Sequence, residues 1–341
     1  MARRRRRFLS RACPDLVRRY LLSIGSLAAV ALLVAAAPLW QWSLPEKVSE
    51  PEVPSNNTMT AAKVELGRRL FYDADLSADG TMSCATCHEQ KHAFADGNQT
   101  HPGVTGEPGR RNVPGLANVA WMTPLTFADP AATTLETQAT TPVFGSHPVE
   151  MGMAGREAAI PDRFARDSCY RTMFRRAFPE SEGRIDFANV AKALASFERT
   201  LVSYGSAYDR GTLSEPARAG GALFARDCAS CHAGQLFTDL RAHRLGPIDK
   251  TASDQGLFEK TGAEDDRGRF RTPSLRNVAL TGPWWHDGSA RTLDAAIARH
   301  GRGYEPSDLT SLMAFLGALS DPEFVTRKDL AIPDRACGRR L

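Results

Sequence analysis

Two five-residue stretches could do the chemistry in this 341-residue chain: Cys84-Ala85-Thr86-Cys87-His88 and Cys228-Ala229-Ser230-Cys231-His232. C-x-x-C-H is the attachment signature of a c-type haem. Each thiol adds across one haem vinyl group. The two-residue spacer sets the sulfurs at the right separation, and the adjacent His reaches the iron as its proximal ligand. A thioredoxin-like C-x-x-C or half of a zinc site also starts from two cysteines. Neither gives a reason for the same extra His after both pairs. The motifs predict two covalently bound c-type haems, one on Cys84, Cys87 and His88, the other on Cys228, Cys231 and His232.

A haem with two protein ligands mostly passes electrons, whereas one with an open face binds peroxide. The choice turns on the sixth ligand. His92, His101, His147, His243, His286 and His300 are candidates, together with the methionines. Each can equally be read as a surface or structural residue.

Helices must hold these groups. Apolar spacing predicts one over Ala61–Phe71, a second over Asn189–Tyr204, then Glu215–Arg218 with Gly220–Phe224, Thr292–His300 and Ser307–Leu319. Thr292 is the expected N-cap of its helix, with Asp294 in the first turn. From His88 to about residue 160 the chain is rich in Gly, Pro and Asn and reads as ordered loop. Long loops are uncommon in compact domains unless something organises them, and a flat apolar haem could do so. The two halves echo each other. Gly67–Phe71 answers Gly221–Phe224 before each motif, and Pro114-Gly-Leu-Ala-Asn-Val-Ala120 answers Pro273-Ser-Leu-Arg-Asn-Val-Ala279. The expected fold is mainly α, two cytochrome c-like haem domains with long ordered loops.

The formal charge of +4 misleads, because eight arginines crowd the first twenty residues and leave a slightly acidic body. That argues against nucleic acid as a partner. The basic start precedes an apolar run over residues 21–37, ending in Ala35-Ala36-Ala37. It reads as a secretory signal or an uncleaved anchor, so the membrane enters only through this segment. Either way the body is expected to be exported, to the periplasm. The expected divisions are a leader (1–40), a linker (41–58), an N-terminal haem domain (59–212) and a C-terminal one (213–341). Of seven cysteines, Cys13 belongs to the leader and four bind haem; Cys169 and Cys337 pair only if the fold brings them together.

The chain is similar to the bacterial dihaem cytochrome c peroxidase and MauG family. The resemblance rests on Arg111–Asn118, Leu135-Glu-Thr-Gln138, Pro148–Gly152, Cys228–Asp239, Thr272–Asn277 and Leu280–Gly288, in this order around the two haem motifs. It implies a peroxidatic N-terminal haem, an electron-transfer C-terminal haem and a calcium ion between them. Gln138 and Glu150 match the family's distal-pocket pair and Pro142 its distal proline. Asn112 matches the calcium-binding Asn, with Thr281 and Pro283 as carbonyl ligands, a hard-cation set. Where relatives carry Met or Tyr as distal ligand of the second haem, this chain has His300, which implies a His232/His300 pair. Methionine ligation raises a haem's potential, so its replacement should lower it.

Classical dihaem peroxidases close the first haem with a His at the position of Val104. Its absence implies a first haem open without reductive activation, as in the MauG branch, with His101 kept in view. The family's bridging Trp falls at Ala128, which leaves Trp121, Trp284 and Trp285 as substitutes or as core residues. The implied activity uses hydrogen peroxide at the open haem to oxidise a protein partner, with MauG-like oxidation of a Trp or Tyr side chain favoured. The alternative is a peroxidase drawing electrons from a small cytochrome or cupredoxin. A third reading is a non-catalytic electron carrier.

Overall fold

The clearest periodicity in the sequence becomes the helix Phe187–Glu198. Asp186 caps it, accepting from Asn189 N at 2.9 Å. It stops short of the expected Tyr204, because the Ser203 N–H leaves the helical pattern to bond Asn118 Oδ1 at 2.8 Å. Ala61–Phe71 is helical with the bounds expected, capped by Thr60. The two helices cross at Gly67, where a Cβ would lie 1.8 Å from the Ala193 carbonyl oxygen. Only glycine permits that approach.

The same device recurs in the second half of this computed structural model, which describes residues 40–340. The basic leader, its apolar run and Cys13 lie outside the described residues. Helix Glu215–Asp227 packs on Pro306–Gly317, and a Cβ on Gly220 would lie 1.9 Å from the Ser311 carbonyl oxygen. The structural counterpart of Gly67 is therefore Gly220 rather than Gly221; each stands four residues before its phenylalanine, Phe71 or Phe224.

The echoed Asn residues also take matching conformations. Asn118 and Asn277 are left-handed (φ 59° and 60°) and each opens a short 3-10 turn. Their side chains meet around one serine: Asn118 Nδ2 donates to Ser203 O at 2.9 Å and Asn277 Nδ2 to Ser203 Oγ at 3.0 Å. Asn tolerates this conformation where most residues do not.

The structure is mainly helical, with two-stranded pairings at Ala242–His243 with Phe270–Arg271 and at Arg335–Ala336 with Arg339–Arg340. Residues expected as loop include two short helices, Leu135–Gln138 and Thr140–Phe144. A single turn with Pro142 inside it is too short to leave a readable period.

Two main apolar clusters form. One gathers Leu66, Phe71, Phe94, Phe174 and Phe197, and is joined by Phe324 and Leu330 from the end of the chain. The other holds Phe224, Phe237, Leu312 and Phe315. Cys169 and Cys337 are disulfide-bonded across 168 residues of sequence, with Cα atoms 5.7 Å apart. Reducing this bond, or a Cys337→Ser change, is expected to cost about 2–5 kcal/mol. Thermal unfolding with and without reductant measures it, and an unchanged midpoint would mean the tail is held by packing alone. Among the described residues no helix is long and apolar enough to cross a membrane.

Candidate active site

Cys84–Cys87 forms a single helical turn capped by Ser83, whose N–H donates to Thr86 Oγ1 at 2.9 Å. The turn presents both sulfurs and delivers His88 beyond them. His88 Nδ1–H donates to Phe94 O at 2.7 Å, and His232 Nδ1–H donates to Phe237 O at 3.1 Å. Both acceptors sit on left-handed phenylalanines, φ 61° and 53°. With Nδ1 engaged, Nε2 is the free ligand atom on each ring. Burial lowers the pKa of both imidazoles, that of His232 to about 4. They are held neutral, the form that ligates metal.

Burial pushes the Cys84 thiol up and that of Cys87 to about 12. Among the described residues the one potential metal cluster is Cys231, Asp239 and His243, which reuses a haem cysteine and lacks a fourth ligand.

Near the first motif the chain folds Gln138, Pro142 and Glu150 onto one short segment. The two single-turn helices run into each other, and the chain then returns, with Met151 N donating to Pro142 O at 2.9 Å. A buried clamp holds the first of these turns: Glu136 accepts from Arg199 Nη1 at 2.8 Å and Nη2 at 2.9 Å, and from Asn57 Nδ2 at 2.6 Å. Glu150 is fixed on its other side by Val104, whose N–H donates to its carbonyl at 2.8 Å. Burial raises the Glu150 carboxyl above the usual range, and His101 pulls it partly back. Val104 thus stands next to Glu150 in the fold, and its methyls cannot ligate a metal. His101 is tied by Nδ1 to Oδ2 of the fully buried Asp96 at 2.7 Å.

A cavity of about 750 Å³ surrounds the second motif, bordered by Cys228, Cys231, His232, Trp285 and His300. That is within the range of cofactor pockets. Thr292 caps the helix Leu293–Ala298, slightly shorter than expected, and His300 follows it with Nδ1 held to Ala296 O at 3.0 Å. The His232 and His300 ring centroids lie 6.5 Å apart. One metal about 2 Å from each Nε2 would need roughly 6–6.5 Å between ring centres. The residues fit a haem between them. The other candidates are engaged elsewhere: His286 stacks on Phe270 at 3.7 Å, His243 Nε2 meets Asp239 at 2.7 Å, and His147 bonds Ser146. His92 packs against Gly97.

Asn112, Thr281 and Pro283 border the same cavity. Asn112 Nδ2 donates to the carbonyls of Asn98 and Gln99 at 3.2 and 3.1 Å, so the amide is oriented and its oxygen left over. Among the described residues neither that oxygen nor the carbonyls of Thr281 and Pro283 accept a hydrogen bond. Spare neutral oxygens of this kind suit a hard cation.

Ala128 is buried and offers no bridging ring. Trp284 and Trp285 border the cavity, Trp285 with its ring 5.9 Å from that of His300. Trp121 lies apart, against Trp42 and Tyr204, with Nε1 bonded to Ser49 O. Three groups around the first motif carried no local sequence signal. Asp96 behind His101 is one. The Arg199–Glu136 clamp joins residues 63 apart. Glu198, buried with its carboxyl pushed up to about 8, lies in an otherwise ordinary core helix.

The family model described as di-haem cytochrome c peroxidase matches residues 61–216. A methylamine utilization protein MauG from Methylophilus methylotrophus is 34% identical over 288 residues, covering 80% of this chain and 83% of that protein. The cytochrome c551 peroxidase of Nitrosomonas europaea is 32% identical over 320 residues, covering 89% and 91%. Among solved structures, a MauG-like protein associated with microbial copper homeostasis superposes with a TM-score of 0.82 at 36% identity, covering 87% of this chain and all of that one.

Proposed function

Because the chain belongs to the di-haem cytochrome c peroxidase and MauG family, a family of haem oxidoreductases with two c-type haems, we propose that it oxidises a protein side chain with peroxide, in the manner of the MauG branch. The single observation that carries this reading is the His232/His300 pair, 6.5 Å between ring centroids. Two imidazoles lack the potential-raising methionine of an electron-accepting peroxidase haem and favour the higher oxidation states. Val104, at the position where classical relatives carry the closing His, adds support.

The haem on His88 supplies, when bound, the iron at which peroxide is cleaved. Glu150 takes the proton from the attacking peroxide oxygen and returns it to the departing one, which leaves as water. A carboxyl raised by burial is suited to both halves of that transfer. Gln138 donates its amide N–H to the oxygen that accumulates charge, and Pro142 keeps competing water from the same face. Over a full cycle hydrogen peroxide, two protons and two electrons become two waters, with the electrons drawn one at a time from the partner. Asn112, Thr281 and Pro283 would hold a calcium ion, which would stiffen the wall between the haem-binding lobes, read here as 59–212 and 213–341. The Cys169–Cys337 disulfide fits an oxidising compartment, in keeping with a periplasmic site of action.

The relative associated with copper homeostasis makes a copper-handling protein the first partner to test. The test adds one equivalent of hydrogen peroxide to resting ferric protein. The expected EPR spectrum before addition has one high-spin and one low-spin haem. The expected response is an oxidised state without prior reduction, quenched by a partner that gains a modified Trp or Tyr. Quenching by reduced cytochrome c alone, with no modified partner, would favour the peroxidase reading. Two low-spin haems indifferent to peroxide would leave an electron carrier.

A further inference from the structure

Among the described residues Arg271 is a buried charge with no counter-charge. It is 5% exposed and lies on the short strand Phe270–Arg271. Its guanidinium donates from Nε to Thr126 O at 3.0 Å, from Nη1 to Thr272 O at 3.2 Å and from Nη2 to Leu125 O at 3.4 Å. These use three of the five N–H groups of an arginine. Among the described residues no carboxylate meets the other two. Burial, with no charge opposing it, lowers its pKa to about 10. Two other arginines on the same cavity are neutralised, with Arg276 Nη1 2.6 Å from Asp209 and Arg302 Nη1 3.1 Å from Asp227, while Arg244 and Arg299 border it from more exposed positions.

Arg271 borders the cavity that also holds Cys228, Cys231 and His232. A buried guanidinium is tolerated when an anion completes it, and its planar fork matches the two oxygens of a carboxylate. A c-type haem brings two such groups, its propionates. We propose that Arg271 is the counter-charge for a propionate of the haem held by Cys228, Cys231 and His232, and thereby sets that haem's reduction potential. This rests on a haem being bound at that motif, and on neither the branch of the family nor the ligand role of His300.

The consequence follows from charge alone. The ferric centre carries one more positive charge than the ferrous, so an uncompensated carboxylate nearby favours ferric and lowers the potential. A fixed guanidinium cancels that pull and keeps the carboxylate ionised, so the native potential should stay flat across the range where free carboxyls titrate.

The experiment is a spectroelectrochemical titration of the low-spin haem in the two-haem protein, with haem content checked by absorbance. Native protein is expected to hold a constant potential from pH 5 to 8. In Arg271→Gln the ferric-to-ferrous equilibrium should shift at least tenfold toward ferric at pH 8, about 59 mV for one electron, and the gap should close as the pH falls and the carboxylate protonates. Arg271→Lys keeps the charge and should stay near native. Arg244→Gln, at a more exposed arginine of the same cavity, should change nothing. A fully loaded Gln variant with the native potential at every pH would reduce Arg271 to a strap between strand and loop. If that variant does not fold, a native potential that itself climbs as a carboxyl protonates between pH 5 and 8 overturns the assignment. Native protein that carries no haem at the second motif would overturn the assignment together with the haem-attachment reading on which it rests.

Discussion

Glu150→Gln is expected to slow the reaction with peroxide by about 10²–10⁴-fold while both haems stay attached. The substitution keeps the shape of the side chain and removes only its ability to take and return a proton. The backbone around it should not notice: the Val104 N–H to Glu150 O and Met151 N–H to Pro142 O bonds involve no carboxyl. A raised pKa gives the effect a direction with pH. The ionised carboxylate is the form that accepts the first proton, so the native rate should climb as the pH rises through a value above the usual carboxylate range. Burial is the larger cause of that displacement and the charge of His101 the smaller, opposing one. In the Gln variant this limb should vanish and leave a flat, low profile. Stopped-flow mixing with peroxide at several pH values measures both features. A rate equal to native at every pH would remove Glu150 from the chemistry.

The second large effect is expected at the other haem. His300→Ala should convert its ferric signal from low-spin to high-spin, because a methyl group leaves one axial position without a protein ligand. His300→Met should restore a low-spin state at a higher potential, since thioether ligation favours the reduced iron. The oxidised state formed with peroxide should be shorter-lived in both variants, as neither retains the second imidazole. A residue just past a helix end could instead be there for the helix dipole, and its bond from Nδ1 to Ala296 O is compatible with that role. Spin state separates the two. A low-spin signal surviving in His300→Ala would return His300 to the surface.

Particular residues show where sequence reading reached its limit. Thr60, Asp186 and Thr292 cap helices in the structure, and Thr292 was readable because a cap acts on its own next three residues. The end of the Phe187–Glu198 helix was not, because its terminating partner, Asn118, lies far away in sequence. The echo between the halves was visible in their Phe and Asn residues. Its true glycine register, Gly67 with Gly220, emerged only where two backbones meet.

By itself the sequence determined the covalent chemistry. C-x-x-C-H needs only the five residues that spell it, since attachment is local and the spacer is part of the motif. Local spacing also determined five of the helices, Ala61–Phe71, Phe187–Glu198, Glu215–Asp227, Leu293–Ala298 and Pro306–Gly317, and missed Ala159–Arg166 and Ser168–Ala177. Tertiary structure decided everything that depends on two distant segments meeting: that Cys169 reaches Cys337, that His300 faces His232 at 6.5 Å, and that Val104 borders Glu150. It alone left Arg271 buried with no carboxylate partner among the described residues, because burial and partnering are properties of the packed chain. Such properties arise when apolar cores close, and no window of neighbouring residues contains them.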